Sequence, residues 1–429
     1  MRNIVENPLS TGGLRASDFK ERHVKKHIEA RLGLCYIAPV ENLTKIRGNI
    51  LVDSVEIQGH CDPRFSAVKD VLAASIESGT DIGASFAAYI NGERVVDIWA
   101  GHLDVEQSKP WQEDTLVNVY STTKTMSFLC AMLLAEQGRL DFEANVSEYW
   151  PEFAQNGKES VKVWHLMNHA AGLSGTDEPL EGEDLYDWAK VISALEQQAP
   201  WWEPGSATGY HALTQGYLIG EVVRRITGKS IGQFFGSEIA GPLQADFYIG
   251  VPESEFSRIG DLFPPGGDAA IGQGDDSDTI AGRTFRYPAT TALTSRTRGW
   301  RTAEIPAANG HGNARSVAKI HSVLANKGES LGVRLFSEDL AKQVMDVRIE
   351  GTDMALGVPM AFGLGFGVNT AKLLSPNANT CFWGGWGGSL ALIDQDAGMS
   401  MSYVMNKMDV GLTGDVRSYN LVQAMYAAL

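Results

Sequence analysis

A serine and a lysine three residues apart, Ser121 and Lys124, form an S-x-x-K pattern in a chain of 429 residues. Residues 116–120 read as extended, and residues 125–137 form an apolar run that predicts a helix ending at Gly138. Side chains at i and i+3 share a helix face, with Cβ atoms about 5–6 Å apart, so the amine can lie beside the hydroxyl. A lysine in an apolar site has a lowered pKa, and its neutral amine can then take the serine proton.

The S-x-x-K pattern is short, and an exposed serine and lysine on a helix face would also produce it. The almost wholly apolar helix argues for burial instead, and a buried lysine is costly unless it has partners or a function. We therefore interpret Ser121 as a nucleophile and Lys124 as part of its base.

Tyr210 follows an aromatic, turn-rich segment, residues 201–209, and precedes a predicted helix over residues 215–226. A tyrosine in this position can point its hydroxyl into a cleft, and a phenolate near a lysine ammonium can act as a general base. The alternative is a packing tyrosine whose hydroxyl reaches the surface.

A glycine-rich segment, residues 383–389, reads Trp-Gly-Gly-Trp-Gly-Gly-Ser. Glycines let a substrate approach backbone amides closely. One such N–H, paired with the N–H of the nucleophile, would form an oxyanion hole. A tight turn or bulge stacked with tryptophans would have the same composition.

Two further patterns suggest other chemistry. Residues 228–232 match G-x-S-x-G, the nucleophile elbow of α/β-hydrolases, but a predicted helix precedes Ser230, which favours a turn or helix-capping serine. His165 and His169 have the i, i+4 spacing of a zinc-binding helix, yet no glutamate follows the first histidine and no third ligand is evident. We therefore expect no metal and no cofactor.

Charge and composition exclude several classes of protein. The formal net charge of −16 argues against general nucleic-acid binding, because the phosphate backbone would be repelled. The four cysteines are widely spaced and form no C-x-x-C motif, so we expect no disulfide framework. No window approaches the roughly 18 continuous apolar residues of a membrane span, and the first residues lack the apolar core of a signal peptide. These features predict a cytoplasmic protein without a membrane partner. They do not decide whether the protein is a monomer or a homo-oligomer.

Predicted strands lie towards both ends of the chain, and helices fill the middle. Asn91-Gly92 between residues 83–90 and 93–101 predicts a hairpin. The other predicted strands cover residues 380–383, 389–394 and 399–406. Further helices are predicted over residues 65–78, 188–198, 314–326 and 418–429.

The simplest architecture is an α+β fold in which both ends form one antiparallel sheet covered by helices, with the site in a cleft beside a helical insertion. We assign residues 1–55 to an N-terminal extension, residues 56–150 together with 300–429 to an α/β domain, and residues 151–299 to a mainly helical and loop insertion domain. Residues 261–312 are rich in Gly, Pro, Asp and Thr, and a stretch this long predicts a wall or lid of the site.

Taken together, residues 60–429 resemble the serine β-lactamase/penicillin-binding-protein superfamily, and more narrowly the family VIII carboxylesterases, which are relatives of class C β-lactamases. Ser121 and Lys124 match the S-x-x-K motif, and residues 166–174 are similar to the family's L-L-x-H-x-S-G-L segment. Residues 210–212 (Tyr-His-Ala) fall where class C enzymes have Y-x-N, and residues 383–385 fall where they have K-T-G. The resemblance implies a β-lactamase/transpeptidase-like fold.

Two departures from the β-lactamase pattern favour esters as substrates. Ala212 replaces the asparagine of Y-x-N, and Trp383 replaces the lysine of K-T-G. In β-lactamases these positions help to bind the lactam amide and the substrate carboxylate, and W-G-G is the form that the esterase branch shows. The resemblance therefore implies a serine carboxylesterase for short-chain esters, for which a weak β-lactamase side activity would be no surprise. A β-lactamase, D-amino peptidase or acyltransferase on the same fold stays open, as does a catalytically silent binding protein.

The resemblance also implies roles for residues. Ser121 attacks the ester of a small-molecule substrate, Lys124 and Tyr210 relay its proton, and the oxyanion lies between the N–H groups of Ser121 and Trp386. Tyr210 then protonates the leaving alcohol and activates the water that hydrolyses the acyl-enzyme. The predicted substrate-binding residues are Tyr120, Trp201, Trp202, Phe366, Trp383, Gly384, Gly385 and Trp386.

Overall fold

The computed structural model describes residues 55–267 and 277–429. The predicted N-terminal extension, except for its last residue, and part of the predicted wall over residues 261–312 lie outside the described residues.

The described strands alternate with helices along the chain. They are β1 (Gln58–Cys61), β2 (Gly83–Ile90), β3 (Glu93–Gly101), β4 (Val117–Asn118), β5 (Phe247–Tyr248), β6 (His311–Gly312), β7 (Glu329–Ser330), β8 (Val333–Arg334), β9 (Ile349–Thr352), β10 (Pro359–Gly363), β11 (Phe366–Val368), β12 (Thr380–Gly384), β13 (Leu390–Asp394) and β14 (Met399–Met405).

The α-helices include the predicted ones at nearly the predicted bounds. They are α1 (Ser66–Glu77), α2 (Thr123–Glu136), α3 (Val163–Met167), α4 (Trp188–Gln197), α5 (Thr214–Thr227), α6 (Ile231–Phe235), α7 (Gly241–Leu243), α8 (Ile280–Arg286), α9 (Arg298–Thr302), α10 (Ala314–Ala325), α11 (Glu338–Lys342) and α12 (Val416–Tyr426). Short 3-10 turns occur at Pro63–Phe65, Tyr120–Thr122, Val146–Glu148, Pro151–Phe153, Gly182–Tyr186, Glu253–Arg258 and Ala292–Arg296, and Gly236–Ala240 forms a π turn.

A nine-stranded antiparallel sheet forms the centre of the fold, in the order β1-β3-β2-β14-β13-β12-β11-β10-β9. The two ends of the chain meet where β2 pairs with β14, with Phe86 opposite Tyr403. This arrangement confirms the predicted α+β fold with one antiparallel sheet built from both ends. A small second sheet, β4-β6-β5, lies where the chain enters the turn that carries Ser121.

The predicted hairpin is also confirmed, and its turn chemistry explains it. Asn91 and Gly92 connect β2 to β3 with φ values of 51° and 79°, both in the left-handed region. A two-residue turn of this kind needs positive φ at both positions, which asparagine and glycine tolerate best.

Helices cover both faces of the sheet, as the alternation along β14 shows. Ser400 Oγ donates to the carbonyl oxygen of Ala318 in α10 at 2.7 Å. Tyr403, an odd number of residues further on, points to the opposite face, where its hydroxyl donates to Asp81 at 2.7 Å. Arg417 of α12 binds the same carboxylate, so α12 and α10 lie on opposite sides.

The helix that follows the candidate nucleophile is buried all round. Every residue of α2 from Thr123 to Leu134 is buried, and the helix packs against α5 and α6. A helix that is apolar on all sides belongs in a protein interior, and its burial brings Lys124 into the core as predicted. Within residues 55–267 and 277–429, no helix has the length and apolar character needed to cross a bilayer.

The predicted division into an α/β domain and an insertion domain stays a prediction. All strands of the large sheet lie within residues 58–101 or within residues 349–405. Residues 151–299 contribute helices, turns and the short strand β5. Because β5 pairs with β6, the two predicted regions share the small sheet.

Candidate active site

Ser121 lies in the 3-10 turn Tyr120–Thr122, between β4 and α2. The preceding residue, Tyr120, has a φ of 42°, in the left-handed region that a bulky side chain rarely adopts. Such a conformation costs of the order of 1–3 kcal/mol and persists only where the surroundings hold it. Here the Tyr120 hydroxyl donates to the carbonyl of Ala292 at 3.2 Å, and its ring packs against Trp386 with the ring centroids 5.0 Å apart.

Three side chains from two distant segments meet at this turn. The hydroxyl oxygens of Ser121 and Tyr210 lie 2.5 Å apart. Lys124 Nζ lies 3.1 Å from Ser121 Oγ and 2.8 Å from the Tyr210 oxygen. Each pair is within hydrogen-bond distance, so a proton can pass between any two of the three groups.

Lys124 also donates to two backbone carbonyls, of Ala212 at 2.7 Å and of Ala307 at 3.0 Å. A neutral amine has two N–H donors and one lone pair. With both donors on the carbonyls, its lone pair faces the two hydroxyl groups. Burial holds the pKa of Lys124 well below its usual value, because the charged ammonium would lose its hydration. The site therefore favours an amine that can accept the Ser121 proton.

Tyr210 is buried, and its burial bears on whether its hydroxyl keeps its proton. Burial raises the pKa of Tyr210, so the structure favours a neutral phenol rather than the phenolate that the sequence suggested. With a basic amine and a neutral phenol side by side, Lys124 is the better base and Tyr210 the better proton donor.

The segment that carries Tyr210 is held on both sides. Its backbone N–H donates to Asp353 Oδ1 at 3.0 Å. The next N–H, of His211, donates to His169 Nδ1 at 3.0 Å, and the His169 ring packs edge-on against the Tyr210 ring with centroids 5.0 Å apart. The phenol is thus fixed by its backbone and by its ring.

Two residues that line the cavity beside the nucleophile, Ser121 and Trp386, carry backbone amides without an acceptor among the described residues. In the described part of the chain, the N–H groups of Ser121 and Trp386 meet no backbone or side-chain acceptor. Unsatisfied amides beside a nucleophile are the arrangement that an oxyanion hole needs. The role predicted for these two amides stays a prediction.

A small apolar cavity opens beside Ser121, with a volume of about 30 Å³. Among the described residues, no charged side chain lines it. The lining residues are Tyr120, Ser121, Tyr210, Ala212, Leu213, Thr284, Phe285, Pro288, Thr290, Ala308, Trp386 and Leu412. Five of them, Thr284, Phe285, Pro288, Thr290 and Ala308, lie in the segment predicted as a wall.

Of the predicted substrate-binding residues, Tyr120 and Trp386 line this cavity, whereas the residues of the W-G-G motif do not. Trp383 is fully buried behind Tyr210, with the two ring centroids 5.6 Å apart. A Cβ at Gly384 would lie 2.2 Å from the backbone of Thr413, and one at Gly385 would lie 2.1 Å from the carbonyl oxygen of Val119. In the structure both glycines lie where two backbones touch, and their predicted contact with substrate stays a prediction.

Phe366 and the tryptophan pair in the loop before Tyr210 also lie outside the cavity. Phe366 is fully buried in the core, edge-on to Phe128 with ring centroids 5.3 Å apart. Trp202 Nε1 donates to the carbonyl of Ala207 at 3.0 Å, so this ring braces its own loop. Trp201 stacks against the guanidinium of Arg283, which belongs to helix α8 in the predicted wall.

Sequence reasoning missed most of the apolar lining. The Gly/Pro-rich composition indicated the wall segment but not which residues, such as Phe285 and Thr290, face inward. Leu412 belongs to a loop without periodicity, and no pattern in the sequence could have identified it.

The two competing motifs have structural roles. Ser230 is the N-cap of α6, and its hydroxyl donates to Glu304 at 2.6 Å. His165 Nδ1 accepts from the backbone N–H of Lys162 at 3.1 Å. Among residues 55–267 and 277–429, no cluster of three or more His, Cys, Asp or Glu side chains could hold a metal ion.

Comparison with known proteins identifies relatives across most of the chain. The family described as Beta-lactamase matches residues 68–425. The esterase/beta-lactamase LipL of Mycobacterium tuberculosis is 32% identical over 361 residues, which cover 82% of this chain and 83% of the relative.

Two solved structures are similar over nearly the whole described chain. A family VIII carboxylesterase is 42% identical with a TM-score of 0.82, and the match covers 87% of this chain and 100% of that one. A penicillin-binding protein homolog from Caulobacter crescentus is 37% identical with a TM-score of 0.81, at the same coverage. The predicted resemblance and the β-lactamase/transpeptidase-like fold are confirmed, and the chain belongs to the Beta-lactamase family.

Proposed function

We propose that the protein is a serine carboxylesterase that hydrolyses short-chain carboxylic esters through an acyl-enzyme on Ser121. The observation that carries the proposal is the meeting of the Ser121 hydroxyl, the Lys124 amine and the Tyr210 phenol beside an uncharged apolar cavity. The carboxylesterase of similar structure and the esterase-named relative support the same activity.

Acylation begins when Ser121 Oγ attacks the ester carbonyl carbon. The hydroxyl proton moves to the neutral amine of Lys124, directly over 3.1 Å or through the Tyr210 hydroxyl over 2.5 and 2.8 Å. The carbonyl oxygen becomes an oxyanion that accepts hydrogen bonds from the N–H groups of Ser121 and Trp386. The bond to the leaving alkoxide then breaks, Tyr210 gives the alkoxide a proton, and the Lys124 ammonium returns one to Tyr210.

Deacylation repeats these steps with water in place of the alcohol. Water attacks the acyl carbon and gives its proton to the Tyr210–Lys124 pair, the same two amides hold the oxyanion, and Ser121 Oγ leaves with a proton. The pair therefore ends each cycle in its starting protonation state.

The cavity favours uncharged esters over anionic substrates. No lysine or arginine lines it among the described residues, so a substrate carboxylate would be desolvated there without a partner. Its apolar lining suits the uncharged acyl or alkoxy group of an ester.

Weak β-lactamase activity is the second candidate function. The acylation groups would serve a lactam carbonyl equally well, and the relative from Mycobacterium tuberculosis is named an esterase/beta-lactamase. Because no described residue of the cavity lining offers a cation to the carboxylate of a lactam such as nitrocefin, we expect its kcat/KM to lie well below that of p-nitrophenyl acetate.

Hydrolysis of p-nitrophenyl acetate and butyrate by the Ser121→Ala variant tests the proposal. We expect a loss of at least about 10³-fold in kcat/KM. Ser400→Ala is a matched control, since Ser400 is also a buried serine that donates to a carbonyl, but it lies on β14 against α10. Full activity in Ser121→Ala, or an equal loss in both variants, would refute the proposal.

We also propose that the protein is cytoplasmic, as the sequence predicts. The described cysteines Cys61, Cys130 and Cys381 are free thiols, which agrees with a reducing compartment.

A further inference from the structure

The two amides of the proposed oxyanion hole lie on segments far apart in sequence. The Ser121 N–H belongs to the turn Tyr120–Thr122, and the Trp386 N–H belongs to residues 385–389, here called the oxyanion loop. Oxyanion donors act at about 2.7–3.1 Å, so the two segments must be held at a distance that fits one oxygen atom. A direct hydrogen-bonded link joins the two segments.

The link is the hydroxyl of Ser389, the last residue of the oxyanion loop. It donates to the carbonyl oxygen of Val119 at 2.8 Å, and Thr122 Oγ1 lies 2.9 Å from it. A serine hydroxyl has one proton, and Ser389 gives it to Val119, so Thr122 is the donor in the second bond. Ser389 thus binds the residues on both sides of the Tyr120-Ser121 pair.

Backbone packing also holds the oxyanion loop against the segment that carries Ser121. The N–H of Gly385 donates to the carbonyl of Ser389 at 2.8 Å, which fixes the two ends of the oxyanion loop to each other. A Cβ at Gly385 would lie 2.1 Å from the Val119 oxygen and 2.4 Å from Ser389 Oγ, so the loop backbone touches the turn directly. The carbonyl carbon of Gly385 is bonded to the nitrogen of Trp386, and its position therefore sets that of the Trp386 N–H.

We propose that Ser389 is a positioning residue whose hydrogen bonds to Val119 and Thr122 set the distance between the Ser121 and Trp386 amides. The inference rests on the proposed function, since it concerns the oxyanion of the ester reaction. Ser389 is 1% exposed and does not line the cavity, so it acts through the backbone and not on the substrate. Its loss should weaken transition-state binding more than substrate binding.

The test compares Ser389→Ala with wild type and with the control Ser400→Ala, using p-nitrophenyl acetate and phenylboronic acid. The boronic acid mimics the tetrahedral state, because Ser121 Oγ adds to boron and the resulting anion places an oxygen between the two amides. For Ser389→Ala we expect kcat to fall about 10- to 100-fold and the boronate Ki to rise by a similar factor, with KM within about 2-fold of wild type. Ser400→Ala should change none of these values.

The hydrogen bond between Thr122 and Ser389 allows a second test, in which a conservative variant should restore activity. Thr122→Val removes the hydroxyl at nearly constant volume and should lower kcat, whereas Thr122→Ser keeps the hydroxyl and should restore it. The pH profile of kcat should stay that of wild type in all these variants, because Lys124 and Tyr210 keep their contacts.

Different results separate this inference from the proposed function. If wild type does not bind phenylboronic acid at Ser121, the proposed function fails and this inference with it. If wild type binds it and Ser389→Ala has an unchanged Ki, or loses kcat no more than Ser400→Ala does, only the inference about Ser389 is overturned. An equal kcat in Thr122→Val and Thr122→Ser would overturn it as well.

Discussion

Asp353 accepts the backbone N–H of Tyr210 at 3.0 Å, although the two residues are 143 positions apart in the chain. The same carboxylate oxygen accepts the N–H groups of Ala355 at 3.0 Å and Leu356 at 2.8 Å. Asp353 is fully buried, and it therefore ties the turn between β9 and β10 to the candidate proton donor.

Removal of this carboxylate should displace the Tyr210 phenol. We predict that Asp353→Ala lowers kcat for p-nitrophenyl acetate about 10- to 100-fold, because small misplacements of a catalytic group are costly. Asp353→Asn keeps an oxygen that can accept the Tyr210 N–H and should retain most of the activity. A kcat in Asp353→Ala equal to that of Asp353→Asn would contradict this role.

A side chain that stays charged should not replace the proton-accepting amine of Lys124. Lys124→Met removes the base, and Lys124→Arg introduces a guanidinium that stays charged and cannot accept a proton, so each should lose at least about 10³-fold in kcat. Lys158 provides the control, since it is also fully buried and donates to two carbonyls, of Glu196 and Gln198, away from the site. Steady-state kinetics of Lys158→Met should give a wild-type kcat. Substantial activity in Lys124→Arg would exclude the role of Lys124 as a proton-accepting amine.

The pH dependence of the reaction should report the buried amine. Burial lowers the pKa of Lys124 from its usual 10.5, and only the neutral amine accepts the Ser121 proton. The rate should therefore rise with pH through this lowered pKa and reach its plateau well below pH 10.5. A profile of kcat/KM against pH checks this, after subtraction of the Ser121→Ala background. If the rate instead rises with a midpoint at or above pH 10.5, the usual pKa of lysine, Lys124 is not the base.

The wall of the cavity should select the chain length of the substrate. Phe285 lines the cavity, so Phe285→Leu should enlarge it and raise the ratio of octanoate to acetate hydrolysis by several-fold, about what one or two extra methylenes contribute. Phe366→Leu is the matched control, because Phe366 lies in the core against Phe128. It should lower the unfolding temperature and leave the chain-length profile unchanged. The same shift in both variants would place the selectivity elsewhere.

Local chemistry made much of the fold predictable. The Asn91-Gly92 turn, the apolar run of α2 and the alternating strands near the C-terminal end each carry their signal within a few neighbouring residues. The presence of strands towards both ends of the chain predicted that they join one antiparallel sheet, and the structure shows that β2 and β14 make this connection. The S-x-x-K spacing likewise indicated the contact of Ser121 with Lys124, because both side chains share one helical face.

The lining of the cavity could not be predicted in the same way. Trp383 and Trp386 are each followed by two glycines, yet the first packs behind Tyr210 and the second lines the cavity. The direction of each ring depends on where β12 ends and the oxyanion loop begins, and on the packing of that loop against residues more than 250 positions away. The left-handed conformation of Tyr120 also has no local signal, since it is held by contacts with Ala292 and Trp386.

Trapping of the acyl-enzyme tests the central claim most directly. Wild type mixed with p-nitrophenyl acetate, quenched with acid within the first turnovers, digested and analysed by mass spectrometry should carry one acetyl group on the peptide that contains Ser121. Ser121→Ala should carry none, and Ser400→Ala should match wild type. Ester hydrolysis by wild type with the acetyl group on another residue, or equal labelling of Ser121→Ala, would contradict the account.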